Sequence, residues 1–327
     1  MSGQTERILI IGPSNIGDAI LVHDVIAAVS RQFPHAALSL VVGERAQALF
    51  DGDPRIHTLL NADLFQSPAG RLQLALSLWR LHPHRVVDLR HTAYPFLLKP
   101  LSAWRYLRQP PRSITHMRDR HRWRLRRQIP QAAPSDTAGE AAAPWCSDND
   151  RAHVERLWQR WQLDGRARLI VVCPGARSHI KRWTSEGFAA LADRLIRELG
   201  AQVVFSGEPS EGPLITEILA LMRQTAYSAV GLTTIRQLGV LMRRAQLVVT
   251  NDSAALHLAS AVQVPTVAIF GPTDERKYGP TSRRHRTIRR RLFCTPCEQA
   301  LCRFNHECMR FISPDEVFHA AQELLSA

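Results

Sequence analysis

The chain has 327 residues, of which 45% are hydrophobic, and its 42 lysines and arginines against 29 aspartates and glutamates give a formal net charge of +13. This length is too great for one ordinary core and suits two domains of about 150 residues each. The basic excess indicates a polyanionic partner: nucleic acid, a phosphorylated glycolipid or an anionic membrane surface. No apolar stretch reaches the roughly 18 residues of a membrane-spanning helix, and the start of the chain lacks a signal-peptide pattern. We therefore expect a cytosolic protein with mostly reduced cysteines.

The first predicted element is a strand at 7–11 that runs into the turn GPSNIGD and then into a helix with apolar residues at helical spacing. Gly12 and Gly17 allow the backbone to turn tightly and to approach a ligand. Asp18 lies at the mouth of the helix, where its carboxylate is expected to point into a cleft. The turn is not G-x-G-x-x-G, so a dinucleotide site is poorly supported.

Short apolar strands continue through the first half at 38–42, 56–60 and 85–89, separated by helix-like segments. This alternation predicts an α/β fold with a doubly wound sheet. The second half repeats the alternation, but not the sequence, from a strand at 168–175 onward. We therefore expect two Rossmann-like domains, at 1–165 and 166–327.

A basic run at 105–127 contains nine arginines and one acidic residue, Asp119, interleaved with aromatic residues and histidines. A charge run is often just a solvated helix face. The sharper hypothesis is a loop and helix that hold the phosphate groups of an acceptor. Successive residues of a helix point to different faces, so only a subset is expected to bind, namely Arg120 with Arg124 or Arg127. The next segment, 131–144, has the composition of a linker.

The stretch at 247–274 reads strand, polar turn, short helix, strand, which is a βαβ unit. In an open parallel sheet, ligands bind beyond the carboxyl ends of the strands, where helix N-termini present unpaired N–H groups. Asp252 and Ser253 occupy that position, which predicts a cradle for an anion or a sugar nucleotide. His257 lies four residues after Ser253 and shares its helix face. The alternative is that Asp252 only caps the helix and that His257 is a core histidine.

Several stretches together resemble the heptosyltransferase family, the inverting sugar-nucleotide transferases of lipopolysaccharide core assembly. They are ILIIGPSNIGDAIL, PGARSHIKRW, FSGEP, NDSAALHLASA and FGPTD, in this order across nearly the whole chain. The resemblance implies a GT-B fold, in which two doubly wound Rossmann-like domains face each other across a cleft. The acceptor is then expected mainly on the N-terminal domain and the nucleotide-sugar on the C-terminal domain. The last helix, at about 314–325, commonly crosses back to the first domain in this fold.

By the same resemblance, Asp18 matches the catalytic base of the family, and Lys181 matches its lysine at the donor phosphates. Asp252 and His257 match its D-x-x-x-x-H signature, and many relatives have glycine where Ala254 stands. The other residues that we expect at the substrates are Gly17, Arg177, Glu208, Thr233, Ser253, Ala254, Arg120 and Arg124. An inverting transfer needs a carboxylate to take the acceptor proton, and positive charge or N–H dipoles where the leaving diphosphate gains charge.

The resemblance implies ADP-heptose as donor, a phosphorylated lipid A and Kdo core as acceptor, and an anionic membrane surface, the inner face of the inner membrane, as the place of peripheral association. It implies no cofactor, no catalytic metal and no nucleic acid as partner. One alternative keeps the fold and mechanism with another nucleotide-sugar or surface-polysaccharide acceptor. A distant alternative is a basic polyanion or nucleic-acid binder, although the sequence has no RRM, KH or helix-turn-helix signature.

Four cysteines follow the pattern C-x2-C-x4-C-x5-C near the end of the chain. They are Cys294, Cys297, Cys302 and Cys308. Four thiolates are a suitable ligand set for a structural Zn²⁺. The spacing differs from that of paired C-x2-C knuckles, and reduced thiols are the alternative that we favour.

Overall fold

The computed structural model describes residues 5–132 and 143–326. The chain divides into two compact units, Met1–Trp145 and Cys146–Ala327. Most of the predicted linker at 131–144 lies outside the described residues. The boundary falls earlier than the expected 165/166 because helix α8 (Asp148–Arg160) packs against helix α11 (Ile235–Arg244) of the second unit.

The first unit has a four-stranded parallel sheet in its described residues, in the order β3-β2-β1-β4. Its strands are β1 (Arg7–Ile11), β2 (Ala37–Val42), β3 (Thr58–Asn61) and β4 (Arg85–Asp88). Its helices are α1 (Ile16–Ile20), α2 (Val22–Gln32), α3 (Glu44–Gln47), α4 (Pro68–Arg80), α5 (Tyr94–Leu98), α6 (Trp104–Leu107) and α7 (Met117–Gln128). The strands predicted at 38–42, 56–60 and 85–89 are therefore present, with small shifts at their ends.

Helix α4 illustrates how the sequence sets these elements. The Ser67 Oγ accepts a hydrogen bond from the Gly70 N–H at 3.0 Å, and Pro68 occupies the first helical turn, where its missing N–H costs nothing. Leu74 and Leu78, four residues apart, point into a core that includes Leu9 of β1. Burying one such leucine stabilises the fold by about 1.5–3 kcal/mol.

The second unit has a six-stranded parallel sheet in its described residues, in the order β10-β9-β8-β5-β6-β7. Its strands are β5 (Leu169–Cys173), β6 (Gln202–Phe205), β7 (Tyr227–Ser228), β8 (Leu247–Asn251), β9 (Thr266–Phe270) and β10 (His285–Arg289). Its helices, besides α8 and α11, are α9 (Ser185–Leu199), α10 (Gly212–Leu221), α12 (Ala254–Ala261), α13 (Glu275–Tyr278), α14 (Glu307–Arg310) and α15 (Pro314–Ser326). Strands β7 and β10 are the two edge strands, and their sequences lack the continuous apolar run that marks the buried strands.

The last helix, α15, belongs to the second unit. Val317, Phe318 and Leu324 are buried in the core of that unit, and the helix packs against α9, β8, β9 and β10. The family resemblance implied that this helix commonly crosses back to the first domain. Within the second unit, the sheet and α9 cover its apolar face. Among the described helices, none is long and apolar enough to cross a membrane.

Candidate active site

The second unit has a reversal of strand order between β5 and β8. From β5 the chain adds β6 and β7 on one side and then β8, β9 and β10 on the other. In open parallel sheets, the loops beyond such a reversal diverge and leave a crevice at the carboxyl ends of the strands, which is where ligands bind. Two motifs of the predicted site, the 174–183 loop after β5 and the Asp252–Ala254 turn after β8, lie at this reversal.

A partly buried ion pair joins these two loops. The Lys181 Nζ donates to the Asp252 Oδ2 at 2.8 Å, and the Thr273 Oγ1 donates to the same oxygen at 2.7 Å. Asp252 is only 5% exposed, whereas the Lys181 side chain keeps 29% of its surface in solvent. An ammonium has three donors. The bond to Asp252 therefore fixes the position of Lys181 and leaves N–H groups for an anionic ligand.

Asn251, the last residue of β8, ties both ends of the 174–183 loop to that strand. Its Nδ2 donates to the Pro174 carbonyl at 2.6 Å, and its Oδ1 accepts from the Trp183 backbone N–H at 3.2 Å. Asn251 is fully buried, so both bonds lie in a region of low dielectric, where they are strong. Sequence reasoning missed both Asn251 and Thr273. Their signal is a polar residue at, or just after, the carboxyl end of a buried strand.

Ser253, and not Asp252, caps helix α12. The Ser253 Oγ accepts from the Ala255 N–H at 3.2 Å and lies 3.3 Å from the Thr250 Oγ1. Asp252 is engaged by Lys181 and Thr273, which removes the alternative that it serves only as the cap. Ala254 is the first helical residue, and its N–H belongs to the positive end of the helix dipole. His257 is buried one turn further along the helix.

The loop after β6 brings a carboxylate that the sequence did not predict. The Glu211 side chain lies over Gly175, where an added Cβ would be 1.9 Å from the Glu211 Oε1. The Glu208 N–H donates to the Glu211 Oε2 at 2.9 Å, while Glu208 itself is exposed. Burial raises the pKa of Glu211. Only glycine at position 175 leaves room for this carboxylate beside the loop that carries Lys181.

The other predicted donor residues lie at the same edge of the second sheet. Arg177 is exposed in the loop between β5 and Lys181, and Thr233 is half-buried just before Thr234, which caps α11. The structure thus gathers Arg177, Lys181, Glu208 and the Asp252–Ala254 turn on loops that follow β5, β6 and β8. Thr233 is next to the start of the helix that leads into β8.

In the first unit, Gly17 and Asp18 lie on α1, beyond the carboxyl end of β1, and both are half-buried. The strand order of this sheet reverses between β1 and β4, so α1 follows a strand at the reversal. A cavity of about 740 Å³ opens at the same edge. Its lining includes Ile11, Asp63, Arg71, Arg90 and Thr92.

Asp88 shapes the loop that borders this cavity. Its carboxylate accepts hydrogen bonds from the backbone N–H groups of Arg90 at 2.9 Å and His91 at 3.0 Å, and from the Thr92 hydroxyl at 3.0 Å. These bonds fix the conformation of the loop that follows Asp88, so we assign Asp88 a structural role. Arg90 and Thr92 of this loop line the cavity.

The predicted basic helix exists as α7, but its arginines differ in environment. Arg118 donates to the Asp24 carboxylate, and the Arg122 Nε donates to it at 3.1 Å, with all three side chains largely buried. Arg118 and Arg122 are therefore neither solvated side chains nor acceptor ligands, so both interpretations of the run fail for these two residues. The burial follows from helix geometry, because residues four apart share the face that α7 turns toward α2.

Arg120 and Arg124 lie together on another face of α7. The Arg120 Nη1 donates to the Ile114 carbonyl at 3.2 Å, and the Arg124 Nη2 donates to the Gln109 Oε1 at 3.0 Å. Burial and the nearby charge of Arg120 lower the pKa of Arg124. The two guanidinium charges repel each other, and an anion that binds both would relieve the repulsion.

The cysteine cluster surrounds a separate cavity of about 240 Å³, lined by Cys294, Cys297, Cys302 and Cys308. The six cysteines form no disulfide within the described part of the chain. Burial and the neighbouring thiols raise the pKa of Cys308 to about 11, so this thiol is protonated at neutral pH. Within residues 5–132 and 143–326, no group of three or more His, Cys, Asp or Glu side chains is placed to hold a metal ion.

Comparison with known proteins gives the family. A sequence model of glycosyltransferase family 9 (heptosyltransferase) matches residues 136–307, which is more than half of the chain. Lipopolysaccharide heptosyltransferase 2 of Escherichia coli (strain K12) is 26% identical over 314 residues, covering 86% of this chain and 88% of the relative.

Two solved structures share the fold. The glycosyl transferase family 9 protein from Veillonella parvula DSM 2008 aligns over 100% of this chain and 99% of its own, with a TM-score of 0.82 and 23% identity. The E. coli ADP-heptose lps heptosyltransferase II aligns over 98% of each chain, with a TM-score of 0.72 and 22% identity. The predicted α/β fold of the GT-B class is confirmed. The chain belongs to glycosyltransferase family 9, the heptosyltransferase family, and is a glycosyltransferase.

Proposed function

We propose that the protein transfers heptose from ADP-heptose to the phosphorylated lipid A and Kdo inner core of lipopolysaccharide, with inversion and without a metal ion. The observation that carries this proposal is the Lys181–Asp252 ion pair, with Thr273, at the strand reversal of the second unit. It presents a fixed positive charge beside the N-terminus of α12, where a diphosphate would bind. The names of the relatives support the substrates, because one is a lipopolysaccharide heptosyltransferase and another an ADP-heptose enzyme.

In the proposed reaction, the Asp18 carboxylate takes the proton from the acceptor hydroxyl as its oxygen attacks the anomeric carbon. The bond from that carbon to the diphosphate breaks on the opposite face, and ADP leaves with the electron pair. Lys181 and the N–H groups at Ser253 and Ala254 stabilise the charge that develops on the diphosphate. Metal is unnecessary in this scheme because these groups supply the positive potential.

The remaining candidate residues divide between donor and acceptor. Arg177 and His257 are assigned to the diphosphate, because they lie on the loop that carries Lys181 and on the helix that Ser253 caps. Glu208 and Thr233 are assigned to the nucleoside. Arg120 and Arg124 are assigned to acceptor phosphates, which is supported by the closeness of their charges. The cavity of about 740 Å³ at the carboxyl end of β1 offers room for a sugar acceptor in the unit that carries Asp18.

This assignment includes the location of the enzyme. A lipid-linked acceptor requires a cytoplasmic protein that associates peripherally with the inner face of the inner membrane. A nucleic-acid partner is not part of the proposal, because Arg118 and Arg122 of the basic run form buried ion pairs with Asp24 inside the fold. Transfer from a different nucleotide-sugar by the same mechanism is the rival outcome of the tests below.

The Asp18→Asn variant tests the assignment of the base. The amide keeps the shape of the side chain but cannot accept the proton, so turnover should fall about 10²- to 10⁴-fold. Affinity for ADP, measured by titration calorimetry, should stay within a few-fold of wild type. Asp119→Asn, an exposed position on α7, is the matched control and should keep full turnover. If Asp18→Asn retained more than about a tenth of the turnover, Asp18 would be a structural residue and not the base.

A further inference from the structure

The first unit exposes eight large apolar side chains among its described residues, and seven of them lie between the start of α4 and the end of α6. Their exposed fractions run from 48% for Leu76 to 98% for Leu101. We call them the apolar face, which consists of Leu72, Leu76, Trp79, Leu97, Leu101, Trp104 and Leu107. Single exposed apolar residues are normal on a soluble protein, but a contiguous group of large ones marks an interaction site.

Helix α4 contributes one regular stripe of this face. Leu72, Leu76 and Trp79 lie four and three residues apart and share one side of the helix, whereas Leu74 and Leu78 are buried on the other. The helix is thus apolar on two sides. A helix in a soluble globular protein normally keeps only its core-facing stripe apolar, so the second stripe needs a separate explanation.

The helices that carry the apolar face are packed against one another in sequence order. Helix α4 packs against α5, and α5 packs against the 3-10 helix Pro100–Ser102, which leads directly into α6. Leu72 of α4 and Leu97 of α5 line the same cavity. The elements that carry the seven side chains are therefore neighbours in the first unit, and Leu72 and Leu97 meet at one cavity.

The sequence segment that carries the apolar face is strongly positively charged. Residues 64–112 contain eight lysines and arginines and one acidic residue, Asp88, whose carboxylate is buried and bonded to its own loop. Arg71, Arg80, Arg90 and Arg108 are exposed within this segment. The Arg105 and Arg127 guanidinium groups lie over the Trp104 ring, at 5.3 and 5.8 Å from its centroid.

We propose that the apolar face inserts into an anionic lipid bilayer while the surrounding arginines bind the headgroup phosphates. Apolar side chains, flanking arginines and amphipathic tryptophans are the combination that lies in a membrane interface. A second copy of the chain fits less well, because symmetric pairing would bring two basic surfaces together. The inference rests on the proposed function only in that a lipid-linked acceptor explains why the enzyme needs a bilayer. The apolar face is the surface of the protein that contacts this bilayer.

The test is co-sedimentation with vesicles of phosphatidylethanolamine containing phosphatidylglycerol, compared with vesicles of phosphatidylcholine alone. Wild-type protein should bind the anionic vesicles at least about tenfold more tightly, and added salt should weaken this binding, because exposed charges are screened. Leu76→Glu/Leu101→Glu places two carboxylates in the apolar face, away from the cavity lining. We expect this variant to bind anionic vesicles at least about tenfold more weakly than wild type.

Leu221→Glu/Phe311→Glu is the matched control. These residues are 47% and 55% exposed in the second unit, and the variant has the same change in net charge. It should keep vesicle affinity within about threefold of wild type. Circular dichroism and ADP affinity check that both variants are folded.

The inference would be overturned by wild-type protein that does not bind anionic vesicles or by equal losses in both double variants. A wild-type dimer that only Leu76→Glu/Leu101→Glu dissociates would also overturn it. The last result would identify a second copy as the occupant of the apolar face. Vesicle binding needs no donor, so absence of heptose transfer would contradict the proposed function alone. Unchanged vesicle binding of the variant would contradict only the inference about this surface.

Discussion

The Lys181–Asp252 pair makes a quantitative prediction about donor binding. Asp252→Asn keeps the size of the side chain, and its amide oxygen still accepts from Thr273, but the charge that holds Lys181 is gone. A hydrogen bond between charged groups contributes about 1.5–3 kcal/mol. Because the Lys181 side chain is 29% exposed, solvent screening favours the lower end of that range. About 1.4 kcal/mol corresponds to tenfold in affinity, so Asp252→Asn should weaken ADP binding about tenfold.

A double-mutant cycle with Lys181→Ala separates positioning from direct contact. If Asp252 acts by holding Lys181, the double variant should bind ADP no more weakly than Lys181→Ala alone. The coupling free energy should then be about 1–2 kcal/mol, which is well above the roughly 0.5 kcal/mol within which independent sites add. Titration calorimetry with ADP measures all four affinities.

Thr273→Val is the control for this cycle. It removes a hydroxyl that contacts the same Asp252 oxygen but leaves the ion pair in place, so its effect on ADP affinity should be less than about threefold. Strictly additive losses from Asp252→Asn and Lys181→Ala would refute the positioning role. So would tighter ADP binding by Asp252→Asn, which would mean that the carboxylate mainly repels the diphosphate.

Three further predictions concern the first unit. Burial lowers the pKa of His23 to about 3, from an unfolded value near 6.5, so the unfolded chain binds more protons between these values and stability falls as the pH drops below 6.5. This histidine should cost about 2 kcal/mol of unfolding free energy between pH 7 and pH 5, and urea titrations should show that much less acid sensitivity in His23→Leu than in wild type. Arg118→Ala should cost about 3 kcal/mol, because it breaks a buried pair with Asp24. Arg120→Ala/Arg124→Ala should instead raise the KM for the lipid acceptor with little change in Tm, and an unchanged KM would return this pair to the solvated-face interpretation.

The strands and the position of the site could be predicted from the sequence because they depend on local patterns. The apolar run Leu247–Asn251, the polar turn at Asp252 and the helix after Ser253 are contiguous, so their order alone indicates a ligand edge. The parallel sheet then follows from the alternation of strands and helices. The same local signals predict Asp18 at the start of the helix that follows β1, whereas Lys181 was singled out only by the family resemblance.

The contacts that define the site could not be predicted this way, because they join distant parts of the chain. Lys181 and Asp252 are 71 residues apart, and no periodicity reports that they meet. Arg118 is 94 residues from Asp24, so its burial was hidden in what looked like a uniform charge run. The position of Glu211 could not be predicted either, because its carboxylate packs against Gly175, which is distant in the sequence. Glycine is needed at position 175 because a Cβ there would clash with this carboxylate.

The most direct test of the account is transfer itself. The purified protein is incubated with ADP-heptose and the lipid A and Kdo inner core in the presence of EDTA, and the product is analysed by mass spectrometry and by NMR at the anomeric carbon. The account predicts one added heptose with anomeric configuration opposite to that of the donor, at a rate that EDTA does not change. Transfer only from another nucleotide-sugar, retention of configuration, or a requirement for Mg²⁺ or Mn²⁺ would contradict it.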